Sequence, residues 1–437
     1  MNNNHNNHNN HNNHNIHKNI IIIGAGIAGL YYAYKYKQIY PDYDFLILER
    51  NTKAYLGGRI GNYNYYDTNI VTGAGIGRLA KDKLLLKLLH ELKIKYEIND
   101  VSPNYADNIE KINIMKILDE LKKIYEKKIK TQYREISNLT FKKFAQNELG
   151  ISLYNQFIIN AGYSDYENED VFETLYYYGM EDNTCCWKSI HLSWNGLIQK
   201  LIKKINIKNI KFSQNVFSID IINSLNSSNS FNSKFIKIYC HHNNKITTYS
   251  CNKLIIATNI NTLRKLLPYN TIYREIECQP FLRLYAKFSK SSIEILRKYC
   301  KGYTFVKGPL QKIIPINIDN GVIMIAYNDN KNSLLLKNKL QNTIENKKYY
   351  ENLFAKALNI SNDERKQLKI LHIKDFYWPC GTHYYKPFQN TENLYNNRED
   401  FIMKAQHPFN NIDVIGEVVS RNQGWVEGAL ESVENVL

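Results

Sequence analysis

No run of about eighteen apolar residues occurs in the 437-residue chain, so no membrane-spanning helix is expected. The stretch from Met1 to Asn19 has no apolar centre of the kind a secretory signal needs, and a soluble intracellular protein is the expectation. Cysteine is sparse: seven residues, an odd number, irregularly spaced and never as CxxC. That argues against a disulfide framework and against a metal site, and reduced thiols are expected. Acidic residues fall short of basic ones, 41 against 57, which leaves a formal charge of +16. The lysines are nevertheless scattered and form no block of like charge. Asn, Ile, Lys and Tyr, which A/T-rich codons encode, crowd the chain, so a genomic bias accounts for the excess. No specific nucleic-acid or membrane partner is therefore expected. Internal repeats are absent too.

What is present begins with an Asn/His tract over 1–18, in which His5, His8, His11, His14 and His17 recur every third residue. Such a tract cannot bury apolar surface and reads as a disordered tail, with order starting at Asn19. Ile20 to Ile23 is a short β-branched run, as in a buried parallel strand. A glycine turn, a helical stretch from Leu30 to about Gln38 and a second strand over Phe45 to Leu48 complete a βαβ unit. From Leu79 to about Arg134 the pattern is helical, with Ile114, Ile117, Leu118, Leu121, Ile124 and Tyr125 on one face. Thr140 is placed to cap a further helix, and Trp194 opens another that runs through Ile205. Strands resume at Ile210 to Phe212, Val216 to Ile221, Phe235 to Cys240 and Lys253 to Ala257, around an Asn/Ser-rich tip over Asn223 to Ser233. A strand at Asp413 to Ile415 and a helix from Val426 close the chain.

The glycine turn carries the first chemistry. In Gly24-Ala25-Gly26-Ile27-Ala28-Gly29 the first glycine permits the tight turn, the second lets backbone approach a pyrophosphate, and the third lets helix pack on strand. The helix N-terminus then presents unpaired N–H groups to the phosphates. Glu49, followed by Arg50, closes the next strand, where a carboxylate accepts hydrogen bonds from a ribose diol and repels a 2′-phosphate. The ligand so described is FAD or NAD. Gly57-Gly58-Arg59 follows, two glycines that let backbone lie against a flat ligand and an arginine that can clamp a diphosphate.

With these three features in order, the sequence resembles the flavin-containing amine oxidases, which include monoamine, polyamine and L-amino-acid oxidases. The resemblance continues through Gly73-Ala74-Gly75-Ile76, Trp194-Asn195-Gly196, Val216, the strand at Lys253 to Thr258, Gly416-Glu417, and Gly424-Trp425-Val426. It implies noncovalent FAD. Gly75 and Ile76 would lie beside the flavin, the Val216 backbone would hold adenine, Glu417 the ribityl-phosphate region, and the helix opening at Val426 would face the ring. Only one dinucleotide fingerprint is present, so no second domain for NAD(P)H is expected.

On the substrate side, the resemblance puts Trp425 in one wall of an aromatic cage. The segment Trp378 to Tyr385 offers Tyr384 for the second wall. Arg283 takes the place where the family often has a lysine that holds a water at the flavin. Arg78, just before the first substrate-domain helix, is a candidate clamp for a substrate carboxylate, with pairing to Asp82 as the alternative. The expected fold is α/β. A Rossmann-type FAD-binding domain (19–77, 195–268 and 389–437) interleaves with an α+β substrate-binding domain (78–194 and 269–388). The expected reaction is oxidation of the C–H next to an amine, in an amine or an L-amino acid, to an imine, with oxygen as acceptor and hydrogen peroxide as product. An FAD-dependent desaturase or porphyrinogen oxidase, or a flavoprotein scaffold without catalysis, is the alternative.

Overall fold

A computed structural model describes residues 16–184, 186–223, 234–243, 245–388, 395 and 397–437. Most of the Asn/His tract and of the Asn/Ser-rich tip lies outside the described residues.

The apolar run at Ile20 to Ile23 is buried and forms the centre of a seven-stranded sheet. Its strand spans Ile16–Ile23 and pairs in parallel with Phe45–Leu48 on one side and Lys245–Ile256 on the other. Side chains alternate across a strand. Ile20 and Ile22 accordingly face helices Ile27–Ile39, Trp194–Ile205 and Val426–Glu434, while Ile21 and Ile23 face a second cluster with Ile260, Leu263 and Phe401. Strands Asn215–Asn223, Lys234–His242, Ile210–Lys211 and Ile412–Val414 complete the sheet.

Order starts earlier than Asn19. Ile16, His17 and Lys18 pair with Tyr249, Ser250 and Cys251. The ladder supplies what their side chains lack, helped by a 3.0 Å contact from His17 Nδ1 to Ser250 Oγ and a 2.9 Å ion pair from Lys18 to Asp44.

The second sheet has six strands, in the order Ile370–Tyr385, Ile276–Phe288, Val322–Asp329, Lys312–Asn317, Thr304–Phe305 and Asn104–Tyr105. Helix Ile344–Ala357 covers it with Tyr350 and Phe354. Helices Ile114–Lys128 and Phe141–Ala161 make a separate cluster in which Ile117, Leu118, Leu121 and Tyr125 meet Phe141, Phe144 and Phe157. Thr140 caps the second of them, accepting from Lys143 N at 3.3 Å.

The stretch from Leu79 to Arg134 is not helical throughout. Helix Lys83–Glu91 ends near Lys93, whose φ is 51°, and Tyr96–Val101 then runs as a strand antiparallel to Trp187–Leu192. Its partner lies far away in sequence, so no local pattern announces it. Among the described residues no helix is long and apolar enough to cross a membrane.

Candidate functional site

The glycine turn sits between the central strand and helix Ile27–Ile39. Gly24 has φ +105° and its N–H donates to Leu48 O at 2.9 Å; a side chain there would run into Ala257 O. A side chain at Gly29 would strike the Gly24 carbonyl. Gly26 differs: a Cβ there would meet nothing within 4 Å. It is the N-cap of the helix and makes no side-chain cap hydrogen bond, which leaves the first-turn N–H groups without a capping side chain. Ile27 and Ala28 turn inward and are buried. Glu49, 8% exposed, accepts from Ala25 N and Asn51 N, both at 2.8 Å, while the neighbouring Arg50 is exposed. Gly57 bridges to Gly26, and Gly58 lies against Gly26 Cα. Gln214 N donates to Glu49 O at 2.8 Å, which brings the Val216 strand beside the acid. These residues could hold the adenosine diphosphate half of a dinucleotide, with open space beside Gly26.

Arg59 links this turn to the C-terminal motif. Its Nη1 donates to Glu417 Oε1 at 2.6 Å and to Gly381 O at 2.8 Å. Glu417 also accepts from Gly424 N at 2.9 Å and lies 2.5 Å from His383 Nδ1. Gly416, with φ +114°, donates to Ser432 Oγ at 2.7 Å. Burial alone would raise the Glu417 carboxyl, but His383 and Arg59 outweigh it and hold the group well below the usual carboxylate range. Burial pushes His383 down despite Glu417, and its Nε2 accepts from Ile260 N at 3.1 Å. Nearby, Thr382 Oγ1 and Gln423 Oε1 are buried without a hydrogen-bond partner among the described residues, polar groups that a bound ligand could satisfy.

The expectation that all cysteines are reduced is corrected here. Cys278 and Cys380, on adjacent strands with Cα atoms 5.2 Å apart, are joined as a disulfide. The two lie 102 residues apart in sequence, and only the pairing of their strands brings them together. Cys278, Cys380 and His383 also bring three potential metal-ligand atoms within 4.8 Å of one another. With the sulfurs bonded to each other, the trio has no thiolate to offer a metal.

On the substrate side, the Arg283 guanidinium packs against Gly75, whose carbonyl accepts from Trp194 Nε1 at 3.1 Å; Ile76 beside it is half-buried. Arg283 lies 4.1 Å from the Tyr327 ring centroid and is buried. Trp425 precedes the buried Val426 at the start of the last helix. Its Nε1 donates to Asp82 Oδ2 at 2.7 Å, and its ring meets Trp194 at 6.3 Å, nearly edge-on. Arg78 pairs with Asp82 and with Asp182, both at 2.9 Å, and lies over Trp425. Of the two readings of Arg78, the pairing with Asp82 is the one found.

Tyr384 lines a cavity with Asp165, Glu169, Glu173, Tyr177, Tyr178, Gln279, His383, Arg421, Gln423 and Gly424. Trp425 is not among the lining residues, so the two cage candidates do not face each other across it. The acids were missed in the sequence, where nothing separates them from solvated ones. Burial, and after it the charge of Glu173, pushes Glu169 well above the usual range. Asp165 is pushed up to about 7 by burial and then by Asp329. Lys312 was missed as well. It is fully buried, its Nζ has no hydrogen-bond partner among the described residues, and it lies 2.8 Å from the Tyr163 ring centroid and 4.4 Å from that of Tyr327. Burial pushes this amine well below its ordinary value, against the pull of Asp329 and Asp165.

Residues 22–92 match the model of a family described as an NAD(P)-binding Rossmann-like domain. An uncharacterized protein of Acanthamoeba polyphaga mimivirus is 21% identical over 501 aligned positions, covering 96% of this chain and 93% of that protein. Among solved structures, putrescine oxidase bound to putrescine superposes with a TM-score of 0.71 at 10% identity, covering 97% of this chain and 98% of the other. Cyclohexylamine oxidase from Brevibacterium oxydans does so with a TM-score of 0.68 at 12% identity, covering 96% and 97%. Over nearly its whole length the chain has the fold of these amine oxidases.

Proposed function

We propose that this chain is an FAD-dependent oxidoreductase that oxidises the C–H bond next to an amine. The observation that carries the reading is the uncapped helix start at Gly26, facing open space and tied through Arg59 and Glu417 to a cavity walled by acids. The FAD domain would comprise 16–77, 195–268 and 389–437, and the substrate domain 78–194 and 269–388.

Gly24, Ala25, Gly26, Ile27, Ala28 and Gly29 would hold the pyrophosphate, Glu49 the ribose, Val216 the adenine, and Arg59, Gly416 and Glu417 the ribityl-phosphate side. Arg50, Gly57, Gly58, Gly75, Ile76, Gly424, Trp425 and Val426 would complete the cradle. FAD, held noncovalently, would supply the two-electron acceptor. Atoms balance as amine plus oxygen plus water giving carbonyl compound, ammonia and hydrogen peroxide.

The protein's part is binding and orientation. Tyr384 and Gly424 line the cavity, where an amine would be held beside the ring. Arg283, packed on Gly75, would present its donors to the flavin edge and remain charged. Asp165, Glu169 and Glu173 make the wall polar, as a cavity for an amine would be. Arg78, already engaged by two carboxylates, has little left for the carboxylate of an amino acid, so simple amines are favoured over α-amino acids. The acidic lining also speaks against a desaturase, whose cavity would be apolar. The resemblance in fold to oxidases of putrescine and cyclohexylamine supports the same class.

The test is anaerobic mixing of the flavin-loaded protein with a panel of amines and amino acids. Bleaching of the flavin absorbance by one or more amines is expected. No bleaching by any amine, with FAD bound, would exclude the activity.

A further inference from the structure

The disulfide at Cys278–Cys380 does not sit apart from the cofactor motifs. Cys380 Sγ is 3.3 Å from His383 Nε2, and the other nitrogen of that ring lies 2.5 Å from Glu417. Glu417 is bonded to Arg59, and Arg59 donates to the carbonyl of Gly381, the residue next to Cys380. The loop of contacts is therefore closed: cystine, imidazole, carboxylate, guanidinium, and back to the backbone beside the cystine. Two of its members belong to the Gly-Gly-Arg and Gly-Glu segments. Nothing in amine oxidation uses the cystine.

We propose that Cys278–Cys380 is a thiol-exchange site whose redox state sets how tightly the chain holds FAD. The inference rests on the reading that Arg59 and Glu417 hold that cofactor. Cys380 is buried and Cys278 is the more exposed of the pair, so Cys278 is the sulfur an incoming thiolate would attack. Its attack forms a mixed disulfide with Cys278 and breaks the bond to Cys380, which leaves as a thiolate beside His383. A second thiol then attacks the mixed disulfide. Two external thiols lose two electrons and become one disulfide, while Cys278 and Cys380 gain two electrons and two protons. The co-reactant is a low-molecular-weight thiol or a protein dithiol.

The consequence follows from position. The cystine ties strand Ile276–Phe288 to strand Ile370–Tyr385 beside Gly381 and His383. Opening it releases that tie. It also sets a thiol against Nε2, in competition with the Ile260 N–H that now orients the ring. Both changes loosen the hold of His383 on Glu417, so the reduced chain is the weaker FAD binder.

The experiment equilibrates the full-length chain in glutathione buffers of graded ratio, maps the 278–380 disulfide by peptide mass, and measures FAD affinity by fluorescence at each ratio. Reduction should weaken FAD binding by about fivefold or more, the lower end of ordinary site-to-site coupling. Linkage is reciprocal, so bound FAD should make the disulfide harder to reduce by the same factor. A tenfold coupling would appear as a midpoint shift of about 30 mV. A cystine without influence on the FAD site would show neither change. Cys278→Ser should bind FAD as the reduced wild type does, whatever the buffer. Equal affinity in the two redox states, or absence of the 278–380 disulfide under oxidising buffer, would overturn the coupling and leave the cofactor reading intact. No FAD uptake in either state would overturn the cofactor reading, and the coupling with it.

Discussion

Glu417 and Glu169 are both buried glutamates, one in the glycine-turn half and one in the cavity half, and their surroundings drive them in opposite directions. Against the desolvation that both suffer, Glu417 has Arg59, His383 and a backbone N–H, and it stays ionised. Glu169 has Thr174 Oγ1 at 2.9 Å and, among the described residues, no ion pair; it is pushed towards the protonated form. The contrast teaches how the two halves handle a ligand. On the glycine-turn side Glu417 is matched inside the protein by Arg59 and His383. The cavity side holds Glu169 without an ion pair among the described residues, and burial drives it towards the neutral form.

The comparison can be broken in several ways. The largest effect is expected from Gly26→Val, which puts a side chain into the open pyrophosphate path and should abolish FAD retention. Because nothing lies within 4 Å of that Cβ, the melting temperature of the flavin-free protein should hardly change. A variant that stays yellow would remove the glycine turn from the site. Glu417→Gln comes next. Breaking one side of a buried ion pair costs about 3–5 kcal/mol, and the loss should appear in both FAD affinity and urea stability. Near-wild-type values in both would show that Arg59 and His383 do not depend on it.

Glu169→Gln should act in the other direction. A carboxyl raised in the folded state loses protons first in the unfolded chain, so its presence weakens the fold as pH rises from the unfolded value near 4 through the folded value. The amide lacks that penalty. At pH 8 the variant should therefore be more stable than wild type by about 1–3 kcal/mol, the gap closing towards pH 4, while its KM for amines rises. A variant less stable than wild type at pH 8 would mean that Glu169 has a partner in solution.

The FAD side should respond to acid instead. His383 is held below its ordinary value, so stability is full above about pH 6.5 and is lost as pH falls through the folded value. Glu417 adds a further loss at lower pH by the same sign. Flavin fluorescence released on acid titration would follow this course; release on the alkaline side only would contradict it. The smallest effect belongs to Thr140→Ala, a cap in the cavity half, at about 1 kcal/mol in urea unfolding.

The dinucleotide half was largely legible because its determinants are local. A β-branched run makes a strand, and glycine fits where a side chain would strike neighbouring backbone, as at Gly24 and Gly29. The Thr140 cap and the helix face from Ile117 to Tyr125 were readable for the same reason. Less could be read in the other half. Strand Tyr96–Val101 gave no local sign, because its stabilising partner is Trp187–Leu192. Arg78 and Trp425 were singled out by motif, yet their side chains turn to Asp82, a contact that sequence left as one option for the arginine and did not suggest for the tryptophan.

By itself, then, the sequence determined the glycine turn, its acid and the order of the two segments that meet it, since backbone freedom and strand propensity are properties of a few consecutive residues. Tertiary structure alone decided that Cys278 meets Cys380, that Lys312 is sealed between tyrosines, and that Asp165 and Glu169 stand on one cavity wall. Those outcomes depend on desolvation and on charges brought close across long stretches of chain. Burial and distance do not exist until the chain has folded.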